Sequence, residues 1–560
     1  MRGITTPFQQ WNHNNSMNKA DIKTIDLSKY SRKELEEAYV KVSVEKEQAE
    51  LQLKWYQEQY RLSKQKQFGK SSEQNLGEQM SLPIFNEAET ELQPINIEPK
   101  LNAETSVDQS ERKPKKQKGK RERDFSKLPK QVVEYKLSPE EQVCPQCAGP
   151  LHEVRPEIHQ ELEVIPAQII VKETQRMIYA CRACEKSDIT VPMVMAPAPN
   201  PVIKGSISSP SLIADIMTKK YVDATPLYRQ EQEYQRRGLP LNRQNMSNWI
   251  IRTSKDWLKP LYQRMQEILV AYDVLHADET ELEVLNEPGR EASAKSYMWM
   301  YRTGNGHVPI VLYDYQPSRA GDNAKNFLKG FKGYLHTDAY DGYDKLLKES
   351  KAGAAMEVTL VGCFAHARRY FIDTLKAIPD KESYMYTSAY QGVEYLDGMF
   401  ALERELSGMS YEDRRKARLS RLKPMLEAYF AWVEKEHSLA LPKSSYGKAI
   451  NYSFNQKDKL MNILKDGRLE LSNNRAERAI KPFVLGRKNW LFTNTPQGAD
   501  SSAIVYSIIE TAKENNLIPF EYLRYLLEKL PNMEVIHGEA LDKLLPWSKA
   551  LPGQCYAKLE

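Results

Sequence analysis

Three carboxylates stand where metal-assisted phosphoryl chemistry could be done. Asp278 closes the segment Asp273-Val274-Leu275-His276-Ala277-Asp278-Glu279-Thr280, Asp338 closes Tyr334-Leu335-His336-Thr337-Asp338, and Glu477 lies in Asn473-Asn474-Arg475-Ala476-Glu477-Arg478. Hard oxygen ligands of this kind, completed by water and a substrate phosphate, suit Mg²⁺ or Mn²⁺. Arg475, Arg478, Lys481, Arg487 and Lys488 surround Glu477, and Trp490 and Phe492 follow. One acid among five bases fits a phosphate-rich substrate better than a network of ion pairs. Each acid also has an ordinary reading. Aspartates at strand ends are common turn and cap residues, and Asn474 with Glu477 three places on fits a helix capping box. His276 and His336 each precede an aspartate by two residues and read as core or edge histidines.

A second constellation is Cys144-Pro145-Gln146-Cys147 with Cys181-Arg182-Ala183-Cys184. Two intervening residues let both thiolates of a pair reach one ion at about 2.3 Å, and four thiolates close a tetrahedral shell. The expected site is structural Zn²⁺, in an embellished ribbon with strand-like runs at 162–165 and 168–172. Cys363 and Cys555 stand alone and read as a buried and a surface thiol. A third feature is a helix over 226–237, a break at Gly238-Leu239-Pro240-Leu241, and a second helix over 243–252 capped by Asn242. That spacing fits a helix-turn-helix. Met246, Trp249 and Ile250 would face its core, and Arg243, Gln244 and Asn248 would face DNA.

These residues need elements to position them. From Ala271 onward, strands alternate with helices. Strands are expected at 273–280, 297–302 and 307–314, the last two joined at Thr303-Gly304-Asn305-Gly306. A helix at 323–330, a strand at 334–337, a helix at 340–349, a strand at 358–361 and a helix at 365–378 follow. This β-β-β-α-β-α-β-α order resembles that of an RNase H-like fold, in which the first and fourth strands lie side by side. Asp278 and Asp338 would then meet at one edge of the sheet, with Glu477 supplied by a later helix.

The chain has 560 residues, a net charge of +5 and 41% hydrophobic residues. The charge balance demands no polyanion partner, so any nucleic-acid surface must be local. No apolar run approaches the ~18 residues of a membrane span, and the first residues do not read as a secretory signal. Six cysteines exclude a disulfide scaffold. Residues 35–60 carry an apolar heptad that reads as a short coiled coil. Residues 71–110 hold eight acids and one base, and residues 111–130 hold ten bases and three acids; such charge-segregated sequence cannot offset its chain entropy by burial and reads as a disordered linker. The expected organisation is a multi-domain α+β chain. It comprises a flexible N-terminus (1–30), a coiled-coil helix (31–70), the linker (71–130), a zinc ribbon-like domain (131–200) and a helix-turn-helix domain (201–268). An RNase H-like core of mixed sheet and helices (269–380) follows, then a large helical insertion (381–468), the end of the core with Glu477 (469–515) and a helical C-terminal region (516–560).

Several blocks together resemble the large transposase of the IS66 family of bacterial insertion sequences. They are Phe68-Gly69-Lys70-Ser71-Ser72-Glu73, the two CxxC pairs, Ala277-Asp278-Glu279-Thr280, Thr337-Asp338-Ala339-Tyr340-Asp341-Gly342-Tyr343 and Gly362-Cys363-Phe364-Ala365-His366-Ala367-Arg368-Arg369. Further along come the segment from Asn473 to Pro482, Gly486-Arg487-Lys488-Asn489-Trp490-Leu491-Phe492 and Ser507-Ile508-Ile509-Glu510-Thr511-Ala512-Lys513. The resemblance implies a DDE triad, mapping onto Asp278, Asp338 and Glu477, and binding of terminal inverted repeats. It implies a nick that exposes a 3′-OH, followed by metal-dependent transfer of that end to target DNA. It further implies a homo-oligomer, small accessory proteins of the same element, and a cytoplasmic, nucleoid-associated protein. The extension before Met17 is unlike the family's start. The rival readings are a zinc and helix-turn-helix regulator without catalysis, and an RNase H-like nuclease that cuts without joining.

Overall fold

The computed structural model describes residues 168–179, 194–349, 353–377 and 384–557. The four CxxC cysteines, the 35–60 heptad and the charged linker lie outside these residues. The chain divides into two units, residues 93–177 and the remainder. In the smaller unit the described residues 168–177 are exposed and contain no strand, so the run expected at 168–172 does not form one. In the larger unit Ile178–Tyr179 pairs antiparallel with Val194–Met195.

The main sheet is built around β1 (Val274–Glu283). Its first four residues are all buried, as expected of a central strand covered on both faces. It runs antiparallel to β2 (Lys295–Thr303), which runs antiparallel to β3 (Val311–Gln316). On its other side β1 runs parallel to β4 (Gly333–His336), which runs parallel to β5 (Val358–Val361). The strand order is therefore β3-β2-β1-β4-β5. The three-strand meander and the adjacency of the first and fourth strands match the sequence expectation. The third strand starts later than expected, because residues 304–310 form a longer connection in which Thr303 Oγ1 donates to Val308 O and accepts from Ile310 N–H.

Before the sheet lie α1 (Pro210–Tyr221), α2 (Leu227–Arg236), α3 (Arg243–Thr253) and α4 (Lys259–Val270). Asn242 caps α3 by accepting from Asn245 N–H at 2.8 Å, and Gly238 turns the chain with φ at 80°. Met246, Trp249 and Ile250 are buried, while Arg243, Gln244 and Asn248 are exposed. The second helix does not stop near 252. It continues through a π turn at Ser254–Leu258 into α4. Within the sheet region, α5 (Gly321–Phe327) follows β3, α6 (Phe364–Lys376) follows β5, and Asp341–Leu347 is a 3₁₀ helix.

Residues 384–465 are largely helical and hold α7 (Ser388–Leu406), α8 (Tyr411–Ala417), α9 (Lys423–Leu439), α10 (Ser445–Asn455) and α11 (Lys457–Met461). They bury a second apolar core around Phe371, Leu396, Leu426 and Tyr429. The chain then returns to the sheet with α12 (Asn474–Trp490) and α13 (Pro496–Glu514), and ends through α14 (Pro519–Lys529) and α15 (Glu539–Asp542). The outer strand β3 is not left bare. Val311 N–H donates to Thr511 Oγ1 at 3.0 Å, Thr511 Oγ1 donates to Val311 O at 2.9 Å, and Tyr313 N–H donates to Ser507 Oγ at 2.7 Å. Helix hydroxyls thus take the place of a further strand on an edge that would otherwise invite pairing. Cys555, expected at the surface, is instead fully buried near Glu521, because the bridge from Leu517 to Tyr556 folds the C-terminus back onto α14. No helix of the described residues is long and apolar enough to cross a membrane.

Candidate active site

The parallel pairing of β1 and β4 sets the site. His276 and His336 are matched in register, so Asp278 and Asp338 each follow that pair by two residues. On β1 the side-chain period of two puts His276 and Asp278 on one face, while Asp338 lies two residues past the end of β4. Asp278 and Asp338 are half-buried. Burial, then the charges of Glu279, Asp338 and Glu477, push the Asp278 carboxyl well above its usual range. Asp338 and Glu477 thus lie near enough to act electrostatically on Asp278.

Glu477 sits in the first turn of α12 and is 5% exposed. The capping-box reading does not hold. The helix is preceded by Asn473, whose side chain makes no cap bond; it reaches instead to His276 Nδ1 at 2.9 Å and donates to Ala277 O at 2.8 Å. Asn473 thereby ties α12 to β1 immediately before Asp278. Glu477 faces Arg369 Nη2 at 3.5 Å and His366 Nε2 at 3.6 Å. Its Oε1, both side-chain atoms of Asn474 and His366 Nδ1 are buried without a hydrogen-bond partner. Buried polar atoms are normally satisfied, so these mark a place suited to a further ligand. Cys363, His366 and Glu477 offer donor atoms within 4.8 Å of one another. Burial, then Glu477, raises the Cys363 thiol to about 12, and its sulfur already accepts from Asn473 N–H at 3.2 Å. A thiol and an imidazole do not suit a hard divalent cation, which prefers oxygen ligands.

His276 and His336 form a buried stack, with ring centroids 4.3 Å apart and planes 8° apart. Burial lowers the His276 imidazole to about 4 and holds His336 well below its ordinary value. Both are core histidines, as expected. Glu470 lies 3.4 Å from His276 Nε2 and accepts from Arg475 at 2.9 and 3.1 Å. Arg475 also donates to Asn305, so this guanidinium is turned into the protein. Arg478 and Lys488 are exposed, Lys481 is half-buried, and Arg487 donates to Thr280 Oγ1 at 3.2 Å.

Glu279, Arg319, Tyr340, Tyr343, His366 and Arg369 carried no role in the sequence reading. Glu279, with a side chain 1% exposed, accepts from Arg319 Nε at 2.8 Å, Arg319 Nη2 at 2.6 Å and Tyr343 OH at 2.6 Å. Burial and Asp338 raise its carboxyl to about 7, against the pull of Tyr343 and Arg319. The Arg319 guanidinium lies 3.8 Å from the Tyr340 ring centroid, and Tyr340 N–H donates to Asp338 Oδ1 at 3.0 Å. This chain of contacts joins the strand of Asp278 to the loop of Asp338. The close approach of α5 to that loop needs glycine, since a Cβ on Gly321 would overlap Gly342 O. Arg319 left no signal in the sequence. His366 and Arg369 did: three apart on α6, they share a face.

A pH effect follows from these carboxyls. A carboxyl raised in the folded state favours folding while protonated, and that contribution is lost as pH rises from its unfolded to its folded value. For Glu279 the window runs from 4.5 to about 7. In EDTA, this group's contribution to thermal stability should fall across that window. Protons and Mg²⁺ would compete for the neighbouring Asp278 oxygens, so the rise in Tm on adding Mg²⁺ should be smaller at low pH and grow as pH rises. Asp278→Asn should remove most of the Mg²⁺ effect. A Mg²⁺ response that does not depend on pH would place the ion elsewhere.

Residues 205–501 match the family described as Transposase IS66 family. Residues 141–185, which hold all four CxxC cysteines, match the zinc-finger binding domain of transposase IS66. Residues 507–547 match the IS66 C-terminal element, and residues 55–133 match Transposase C of IS166 homeodomain. Among similar proteins of Sinorhizobium fredii (strain NBRC 101917 / NGR234), the uncharacterized protein y4jD is 33% identical over 433 residues, 76% of this chain and 82% of its own. The uncharacterized protein y4qI is 30% identical over 478 residues, 84% of each chain.

Proposed function

The chain belongs to the IS66 transposase family, and from that premise we propose that it cuts DNA at the ends of an insertion element and joins them to target DNA, with Asp278, Asp338 and Glu477 as a DDE triad in an RNase H-like core. The observation that carries this reading is where the three acids lie: Asp278 on β1, Asp338 two residues past the end of the paired β4, and Glu477 buried in the first turn of α12, which Asn473 ties to β1 immediately before Asp278. The strand order β3-β2-β1-β4-β5 supports the core assignment.

Asp278, Asp338 and Glu477 would hold Mg²⁺ or Mn²⁺, which when bound supplies charge stabilisation to a phosphoryl transition state and an activated water. The residues of the chain prepare that centre. Arg369 and His366 orient Glu477, Asn473 fixes α12 against β1, and the Glu279, Arg319 and Tyr343 contacts set the loop of Asp338 against the strand of Asp278. In the first reaction a water oxygen attacks the phosphorus at the element's end, and the 3′ oxygen leaves and takes a proton. In the second, that 3′-OH attacks a target phosphodiester, giving up its proton as the target's own 3′ oxygen leaves. One phosphodiester replaces another, so no nucleotide cofactor is needed.

Arg243, Gln244 and Asn248 on α3, with Arg478, Lys481, Arg487 and Lys488 on α12, form the proposed DNA contacts; Arg475, also expected there, is occupied by Glu470 and Asn305. Inverted repeats and target are the proposed partners, and two ends call for at least two protomers. The test is labelled element-end DNA with a plasmid target and Mg²⁺, read on a sequencing gel. Joined products are expected. Nicks without joining would indicate a nuclease, and neither product would leave a binding protein.

Cys144, Cys147, Cys181 and Cys184 are proposed to hold one structural Zn²⁺. Purified protein should contain about one zinc per chain by elemental analysis. Cys144→Ser should release it without changing the Mg²⁺ response of the acid centre. A zinc-free wild-type protein would refute the site.

A further inference from the structure

The block Gly486-Arg487-Lys488-Asn489-Trp490-Leu491-Phe492 builds a feature that the acid centre does not use. At the end of α12, Leu491 has φ 66° and ψ −52°, and Phe492 N–H donates to Trp490 O at 2.8 Å. This is a γ-turn of positive φ, rare and strained at a residue with a side chain. It is braced on both sides. Leu491 N–H donates to Arg487 O at 2.7 Å, Thr493 N–H to Glu283 O at 2.9 Å, and Leu285 N–H to Thr493 O at 3.0 Å. Gly486 leaves room for the Trp490 indole, which a Cβ there would overlap together with the Tyr506 hydroxyl. The indole is thus folded back, with Lys220 Nζ 5.8 Å from its ring centroid.

With Trp490 tucked in, the next two side chains are pushed outward. Leu491 is 66% exposed and Phe492 is 45% exposed. Strain spent to present two apolar side chains to water points to a contact made outside the chain. The surroundings indicate its chemistry. Arg478, Lys481, Leu485 and Lys488 follow helical spacing along one face of α12, from the turn of Glu477 to this tip. That distance is about 20 Å at ~1.5 Å per residue. Arg487 reaches Thr280, two residues beyond Asp278. A basic helical face ending in an apolar and aromatic tip suits a nucleic-acid strand better than the surface of a second copy.

We propose that Leu491 and Phe492 form a nucleobase site, which receives an unpaired or unstacked base of the DNA strand lying along the basic face of α12. The inference rests on the reading of this chain as acting on DNA. Phe492 supplies the stacking surface, and the γ-turn holds Leu491 beside it as a wedge. Base–aromatic stacking of this kind is sequence-tolerant and is not electrostatic.

The test uses the full-length protein without divalent metal and two labelled DNAs of equal length, one fully paired and one forked with a short single-stranded arm. Wild type should bind the fork more tightly. Phe492→Ala should lower fork affinity about tenfold, with little change in duplex affinity or in the salt slope. Leu491→Gly, which also relieves the backbone strain, should lose part of the fork preference while remaining folded. Lys488→Ala should instead weaken both DNAs and reduce the salt slope by about one. Equal effects of Phe492→Ala on fork and duplex, or no effect, would overturn the proposal. So would an unchanged fork affinity with a lower mass by light scattering, which would assign the tip to a contact between copies. A protein that prefers the fork but never joins ends keeps this site and loses the transposition reading, and joining with wild-type fork affinity in Phe492→Ala does the reverse.

Discussion

Asp278→Ala, Asp338→Ala and Glu477→Ala are each expected to lower nicking and strand transfer by at least a hundredfold to about a thousandfold, since each removes charge that the transition state requires. The variants should remain folded. The three acids repel one another when no cation is present, and burial together with those neighbours already holds the Asp278 carboxyl far above its usual range. Removing one acid relieves part of that repulsion. Binding to DNA ends should be kept or slightly strengthened, since negative charge facing phosphate is lost. Asp341 is exposed and is the proper control; Asp341→Ala should retain substantial activity. Glu279 is not a control, because its buried carboxylate is held by Arg319 and Tyr343. If Glu477→Ala joins ends at a near wild-type rate, the third acid is wrongly assigned. The search would then move to Glu470, which pairs with Arg475, or Glu510, which pairs with Lys513. Activity in all three variants would refute the proposed catalytic centre.

The second large effect is expected far from the acids, at Arg418. Its side chain is fully buried between α8 and α9, where it pairs with Glu403 at 2.7 and 2.8 Å and donates to the carbonyls of Ile463, Asp466 and Leu469. These carbonyls belong to the segment that leads into α12, so one guanidinium fastens the helical block to the strand of chain carrying Glu477. Arg418→Met would leave a buried carboxylate and three carbonyls short of a donor, at a cost of about 3 kcal/mol. Arg414 still reaches Glu403 at 2.7 Å and should keep the loss from being larger. Burial would raise the Glu403 carboxyl, but Arg418 and Arg414 hold it below its ordinary 4.5. A carboxyl lowered in the folded state contributes stability above its unfolded value and loses it as pH falls. The destabilisation by Arg418→Met should thus be full at pH 7 and shrink towards pH 4. Urea unfolding at both pH values measures it, and hydrogen exchange over 460–473 should show the earliest loss of protection. Equal denaturation midpoints for Arg418→Met and wild type at pH 7 would mean that water replaces the guanidinium.

Much of the site was legible from residue type and spacing. Acids at the ends of two strand-like runs, a third acid among bases, and two CxxC pairs are local patterns whose chemistry depends on few neighbours. The meander and the helix pair around Gly238 were legible for the same reason, since hydrophobic period and turn residues act over a handful of positions. Local rules misjudged the start of Glu477's helix. A capping box was as good a reading of Asn474 and Glu477 as a catalytic one, until Asn473 was seen to reach across to His276 and Ala277. They also misjudged Arg475 and Cys555, because what occupies a guanidinium or covers a thiol is set by chain beyond the local window: Asn305 lies 170 residues from Arg475 and Glu521 lies 34 from Cys555.

Only the tertiary structure decided which charges are free to act. Glu279 and Asp278 are neighbours in sequence, yet one is held by Arg319, 40 residues on, and the other faces Asp338 and Glu477. The strained turn at Leu491 is equally invisible in sequence, because its backbone is imposed by pairing with β1 and by an indole packed against Gly486. Residue identities specify which chemistry is available. Long-range packing selects which groups lose water, gain partners or stay exposed, and these determine whether that chemistry can be used.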